Sequence, residues 1–163
     1  SLVERLVVVD MAPVRYPNRF AGLLGALQRL PLHALDSRAA ADRALAADIP
    51  NPALRGYLLQ NLTKASGGGW RWRFNLEALV CRIHGLMDFP QAAAGRQFPG
   101  DVLFLHGAES DYVQPEHDAQ IRRYFPFARH RAVAGAGHWL YSDQPAVFTD
   151  AVTGFLADLA CPP

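Results

Sequence analysis

The sequence predicts an α/β fold built on a parallel sheet of three strands, with a block of helices inserted after the first strand. Three observations lead there. Two short apolar runs, Leu6-Val7-Val8-Val9 and Val102-Leu103-Phe104-Leu105, read as strands buried on both faces. Between them lies a long stretch whose apolar residues recur at spacings of three and four, the period of an amphipathic helix. After the second run, strand and helix alternate, an order that right-handed crossovers convert into parallel pairing.

The elements follow in order. The first strand ends at Asp10-Met11-Ala12-Pro13, where the proline stops regular structure. Phe20, Leu23, Leu24, Leu27 and Leu30 then form one helical face. A second helix is expected over 39–47, capped by Asp36 or Ser37, and a third over 52–62, burying Leu54, Leu58, Leu59 and Leu62. Ser66-Gly67-Gly68-Gly69 is a break. Trp70-Arg71-Trp72-Arg73-Phe74 reads as a strand or turn presenting aromatic side chains, and a helix follows over 76–87. Pro99-Gly100 opens the second buried strand, 101–106, and a helix is predicted over 115–124. A third strand over 129–134 runs into Gly135-Ala136-Gly137-His138. The last helix starts near Asp143 with Pro145 in its first turn, and Phe148, Val152, Phe155 and Leu159 form its buried stripe.

A helical block of that length exceeds what a crossover needs and reads as an inserted cap or lid. The expected organisation is a core strand and turn over 1–15, a helical cap over 16–98, and the remaining core over 99–163.

Composition narrows the function. The 163 residues are half apolar and 19% charged, with a net charge of +1, so no electrostatic feature favours nucleic acid or an anionic membrane as partner. No apolar run reaches the length of a membrane-spanning helix. Cys81 and Cys161 lie far apart without metal-ligand spacing, a pattern expected of reduced thiols in the cytoplasm. His33, His84, His117 and His130 show no metal-ligand spacing either, and His106 reads as a satisfied strand-end histidine. No metal is expected. The chain opens Ser1-Leu2-Val3-Glu4-Arg5 without an initiator Met and enters a strand almost at once, so it is expected to be cut from within a fold.

The chemistry-bearing residues sit at strand ends, where open α/β sheets gather ligands and catalytic groups. Those ends present Asp10, then Ser110 and Asp111, then His138. An acid followed by a histidine after the next strand suits a proton relay: the imidazole takes a proton from a nucleophile, and a buried carboxylate fixes its tautomer. The glycines flanking Ala136 let the backbone present His138 from a sharp loop. Asp111 stands a few residues beyond strand-end Gly107, before Tyr112-Val113 and Pro115, and is favoured on position. Asp10, ending the preceding strand, is its rival.

Several segments resemble a known group. Val3-Glu4-Arg5-Leu6-Val7-Val8-Val9-Asp10-Met11-Ala12-Pro13, Asn61-Leu62, Trp70-Arg71-Trp72-Arg73-Phe74-Asn75-Leu76, Phe104-Leu105-His106-Gly107 and Gly135-Ala136-Gly137-His138-Trp139 are similar, in order, to the small YbfF-type esterases of the α/β-hydrolase superfamily. The resemblance implies the C-terminal part of an α/β-hydrolase, its parallel sheet carrying a helical cap insertion. It also implies a serine esterase or thioesterase that acts on a small acyl ester or thioester without a cofactor. Carried over by position, His138 is the triad base; Asp10 falls where this group keeps its acid, and Asp111 at the acid position of the wider superfamily. Ser110 matches a loop serine of the hydrogen-bond network. Trp70, Trp72, Phe74 and Trp139 are expected along the substrate cleft and cap.

One departure is large. The family's Gly-x-Ser-x-Gly elbow occurs nowhere in these residues. The resemblance places it before Ser1, together with the oxyanion-hole amides. The chain alone is therefore expected to be inactive, and its expected partners are the missing N-terminal half or a second copy pairing through an exposed sheet edge. A non-catalytic interaction module, or a relative with dehalogenase, perhydrolase or lyase chemistry, are the other readings the residues allow.

Overall fold

The computed structural model describes residues 2–90 and 93–157. The chain divides into two compact units, Ser1–Arg15 with Phe89–Pro163, and Tyr16–Asp88.

The first unit holds a three-stranded sheet. β1 (Arg5–Val9), β4 (Asp101–Gly107) and β5 (Ala128–Val133) lie in the order β1-β4-β5, and both pairings are parallel. The register sets Val9 beside Leu105 and His106 beside Ala132, which brings the carboxyl ends of all three strands to one edge. β4 is central, so Val102, Leu103, Phe104 and Leu105 are buried. β1 corrects the reading of Leu6–Val9 as buried on both faces: its residues are all of intermediate burial, because the strand pairs on one side only. Leu103, Leu105, Val133, Ala136, Leu140, Ala151 and Phe155 make the core on one side, with Val7, Val9, Phe148 and Val152 against it. They draw in the short α6 (Leu140–Asp143) and the longer α7 (Pro145–Ala157). Of the stripe expected on that last helix, Phe148, Val152 and Phe155 face the sheet, and Leu159 lies outside the described residues. The segment expected to be one helix over 115–124 is a 3-10 turn, Pro115–His117, running into α5 (Asp118–Tyr124). Ile121 and Tyr124 are the buried residues of α5. Phe89 belongs to this unit through its ring, 4.7 Å from that of Tyr124.

The second unit is helical. α1 (Ala21–Arg29), α2 (Arg38–Leu45), α3 (Pro52–Leu59) and α4 (Leu76–Leu86) surround a core that includes Ala26, Leu27, Ala41, Leu45, Leu59 and Leu62. Three of the helices start on side-chain caps that the sequence carries. Ser37 Oγ accepts from Ala40 N–H, Asn51 Oδ1 from Ala53 and Leu54 N–H ahead of Pro52, and Asn75 Oδ1 from Ala78 N–H.

The third helix expected over 52–62 stops at Leu59. Leu62 instead opens β2 (Leu62–Lys64), antiparallel to β3 (Trp70–Trp72) with Leu62 opposite Trp72. A buried leucine at helical spacing looks the same in either element, and the glycine turn that returns the chain decides the outcome. Gly68 and Gly69 take φ of 92° and 73°, a region glycine enters without steric cost. A lone hairpin is marginal in water. This one is anchored by Trp70, whose backbone N–H donates to Leu32 O and whose indole N–H donates to Leu35 O at 2.9 Å. Among the described residues no helix is long and apolar enough to cross a membrane.

Candidate active site

The site forms at the carboxyl edge of the sheet, around Asp10. Its backbone N–H donates to Leu105 O at 2.9 Å, extending the β1–β4 ladder by one residue. Its φ then turns to 48°, the left-handed region, which Asp tolerates better than most non-glycine residues. That reversal points the side chain back under the strand ends, where Asp10 is only 1% exposed.

A buried carboxylate needs donors, and three converge on this one. Gly107 N–H reaches Oδ1 at 3.2 Å. Ser110 Oγ–H donates to Oδ2 at 2.6 Å, and His138 Nδ1 lies 2.7 Å from the same oxygen. Gly107 ends β4, and Ser110 and His138 come from the loops after β4 and β5, so the carboxylate ties the ends of β1, β4 and β5 together.

The loop after β5 carries His138. Gly135, at φ 66°, reverses the chain, Ala136 is buried, and Gly137 N–H donates to Asp143 Oδ2 at 3.0 Å. Glu109 N–H donates to Ala136 O, joining this loop to the one after β4. Gly107 makes the approach possible, since a Cβ there would stand 2.1 Å from Gly137 O and 2.4 Å from Ala136 O.

The imidazole's chemistry follows from its partners. With a carboxylate as acceptor, Nδ1 carries the proton, so the neutral ring offers Nε2 as a base. The His138 side chain is 49% exposed, which leaves that base accessible. Tyr112 covers one ring face: the centroids are 4.2 Å apart and the planes 20° from parallel.

Asp10, one of the two candidate acids, is hydrogen-bonded to His138. Asp111, favoured on position alone, lies exposed beside Ser110. Trp139 occupies the turn after the histidine, its carbonyl accepting from Ser142 and Asp143 N–H. Trp70, Trp72 and Phe74 lie in the helical unit. There Trp72 stacks on Phe74 at 5.5 Å, and both line a cavity of about 380 Å³ with Leu27, Leu32 and Leu76. Trp72 Nε1 is buried without a hydrogen-bond partner.

Sequence reasoning passed over Tyr112 and the packing role of Gly107. An aromatic residue two positions past a loop serine gives no warning that it folds onto a histidine some 26 positions on.

Comparison with known proteins gives these residues a context. No family model matches the chain. A mouse sn-1-specific diacylglycerol lipase ABHD11 is 41% identical over 164 residues, spanning 96% of this chain and 52% of that protein. Esterase YbfF of Escherichia coli is 29% identical over 157 residues, spanning 96% of this chain and 59% of that protein. Among solved structures, a marine microorganism esterase superposes with a TM-score of 0.86 at 29% identity, over 94% of this chain and 60% of that one. The chain thus spans about half the length of the curated relatives it matches. By sequence and by its parallel sheet, it is part of an α/β-hydrolase fold and is similar to the YbfF-like esterases.

Proposed function

We propose that this chain supplies the base and the acid of a serine ester hydrolase, His138 and Asp10, with the nucleophilic serine coming from polypeptide outside these 163 residues. The observation that carries the reading is the 2.7 Å contact between His138 Nδ1 and the buried Asp10 carboxylate. The relatives, an esterase and a lipase by name, support an acyl ester as substrate.

The chemistry then runs in two halves. His138 Nε2 takes the hydroxyl proton as the serine oxygen attacks the acyl carbonyl, and Asp10 stabilises the imidazolium that forms. Nε2 returns that proton to the departing alcohol, leaving an acyl-serine. Water, deprotonated by the same nitrogen, then attacks the acyl carbonyl; the bond to the serine oxygen breaks, and Nε2 returns the proton to that oxygen as the acid leaves. Ser110 keeps the second lone pair of Asp10 Oδ2 occupied and so fixes the carboxylate against rotation.

The test is expression together with the coding sequence that precedes Ser1. An in-frame Gly-x-Ser-x-Gly and hydrolysis of p-nitrophenyl butyrate are expected, with activity abolished in His138→Ala. Hydrolysis that survives this substitution refutes the role.

A further inference from the structure

Resting on that ester-hydrolase reading, we infer that Tyr112 is a positioning residue for His138: its stacked ring holds the imidazole in the rotamer that bonds Asp10 and turns Nε2 outward. Four residues close a cycle. Asp10 accepts from His138 at 2.7 Å, the His138 ring lies on Tyr112 at 4.2 Å, Tyr112 N–H donates to Ser110 Oγ at 3.3 Å, and Ser110 Oγ–H donates back to Asp10 at 2.6 Å. Each member is therefore fixed from two sides.

The need for a second hold follows from geometry. A hydrogen bond through Nδ1 fixes one atom of the imidazole, and a side chain that is 49% exposed retains room to swing about it. A flat ring across one face removes that freedom, and the 20° angle between the planes is a stacked arrangement. The Tyr112 ring is itself placed by its backbone. The Ser110 hydroxyl accepts the Tyr112 N–H while donating to the carboxylate, and Gln114 Nε2 donates to Ser110 O at 3.1 Å, closing the turn behind it. One hydroxyl thus couples the carboxylate to the aromatic ring.

The ring also contributes selectively during turnover. Its π face is electron-rich and attracts a cation above it. The imidazole gains a positive charge as it takes the nucleophile's proton, so this attraction grows on the way to the transition state.

The experiment compares Tyr112→Phe with Tyr112→Leu in the protein that carries its nucleophile, reading kcat and KM separately. Tyr112→Phe keeps the ring and should hold kcat. Tyr112→Leu should lose about tenfold in kcat with KM little changed, the mark of a misplaced catalytic group. In the 163-residue chain, the His138 imidazole C–H resonances should lie upfield under the aromatic ring, remain there in Tyr112→Phe and move downfield in Tyr112→Leu. Wild-type kcat in Tyr112→Leu, or equal losses in both variants, overturns the inference. So does the absence, in the unsubstituted chain, of nuclear Overhauser contacts between the Tyr112 ring and the His138 imidazole, a measurement that requires no variant to fold. A protein without hydrolysis refutes the ester-hydrolase reading instead, and the resonances still decide whether Tyr112 fixes the imidazole.

Discussion

At the scale of single residues, Asp10 combines a left-handed backbone with a buried carboxylate that three donors share. The substitution that isolates the charge is Asp10→Asn, because Asn also tolerates positive φ. Alanine would add backbone strain of roughly 1–2 kcal/mol and confuse the result. An amide in that place cannot satisfy all three donors, since one of its two ends is itself a donor. The imidazole then loses the partner that sets its tautomer, and kcat should fall by roughly 10⁴-fold, the size of loss such a swap produces in a serine hydrolase triad. Asp111→Asn, at an exposed position, should leave kcat nearly unchanged. Steady-state kinetics on the two variants side by side decide between the acids. A large loss at Asp111 with none at Asp10 would reverse the assignment.

Among elements, the junction between β4 and the loop after β5 sets the precision of the site. Gly107 is where a strand end passes under the Ala136 and Gly137 carbonyls, both closer than 2.5 Å to any added Cβ. These are backbone atoms and cannot swing away. Gly107→Ala should destabilise the sheet unit by about 1–3 kcal/mol and lower the melting temperature by several degrees. It should also lengthen the path from His138 to Asp10 and reduce kcat. A variant that melts like the parent would show that the loops give way more easily than this contact implies. The same junction shows what the sequence conveys. The apolar runs of β1 and β4 and the helical period of α1 are legible, since burial writes them directly into residue type. The end of α3 is not, because Leu62 suits a helix face as well as a strand, and its pairing with Trp72 depends on a turn several residues away. The sharp loop that presents His138 is legible from its glycines, and Gly135 takes a φ of 66° there. The hydrogen bond from His138 to Asp10 is not, because Asp10 and Asp111 both follow strands, and it is the left-handed turn at Asp10 that sends its carboxylate under the sheet edge.

For the molecule as a whole, each unit has a core of its own, and acid should act on them unequally. His130, on β5, faces Asp118, His106 and Arg122 around a cavity of about 410 Å³. Burial is the largest influence on its imidazole and pushes the pKa below the ordinary 6.5. Asp118 pulls the other way, while His106 and Arg122 add to the lowering, so the net direction is down. Near neutrality the ring is therefore uncharged, and the 3.3 Å approach of Nε2 to Asp118 Oδ1 is not an ion pair. The unfolded chain takes up its proton at the ordinary value, and the folded chain does so only at lower pH. Between the two the unfolded state binds more protons, so stability rises with pH there. The contribution is complete above about pH 6.5 and is lost as the pH falls through the folded value. Amide-exchange protection factors should register this as weaker protection of Val102–Leu105 on acidification, with Ala41 and Leu45 in the helical core less affected. His130→Gln keeps a polar side chain beside Asp118 but cannot take up a proton in this range. It should flatten the acid dependence of the sheet unit, and an unchanged slope would place the acid-sensitive group elsewhere.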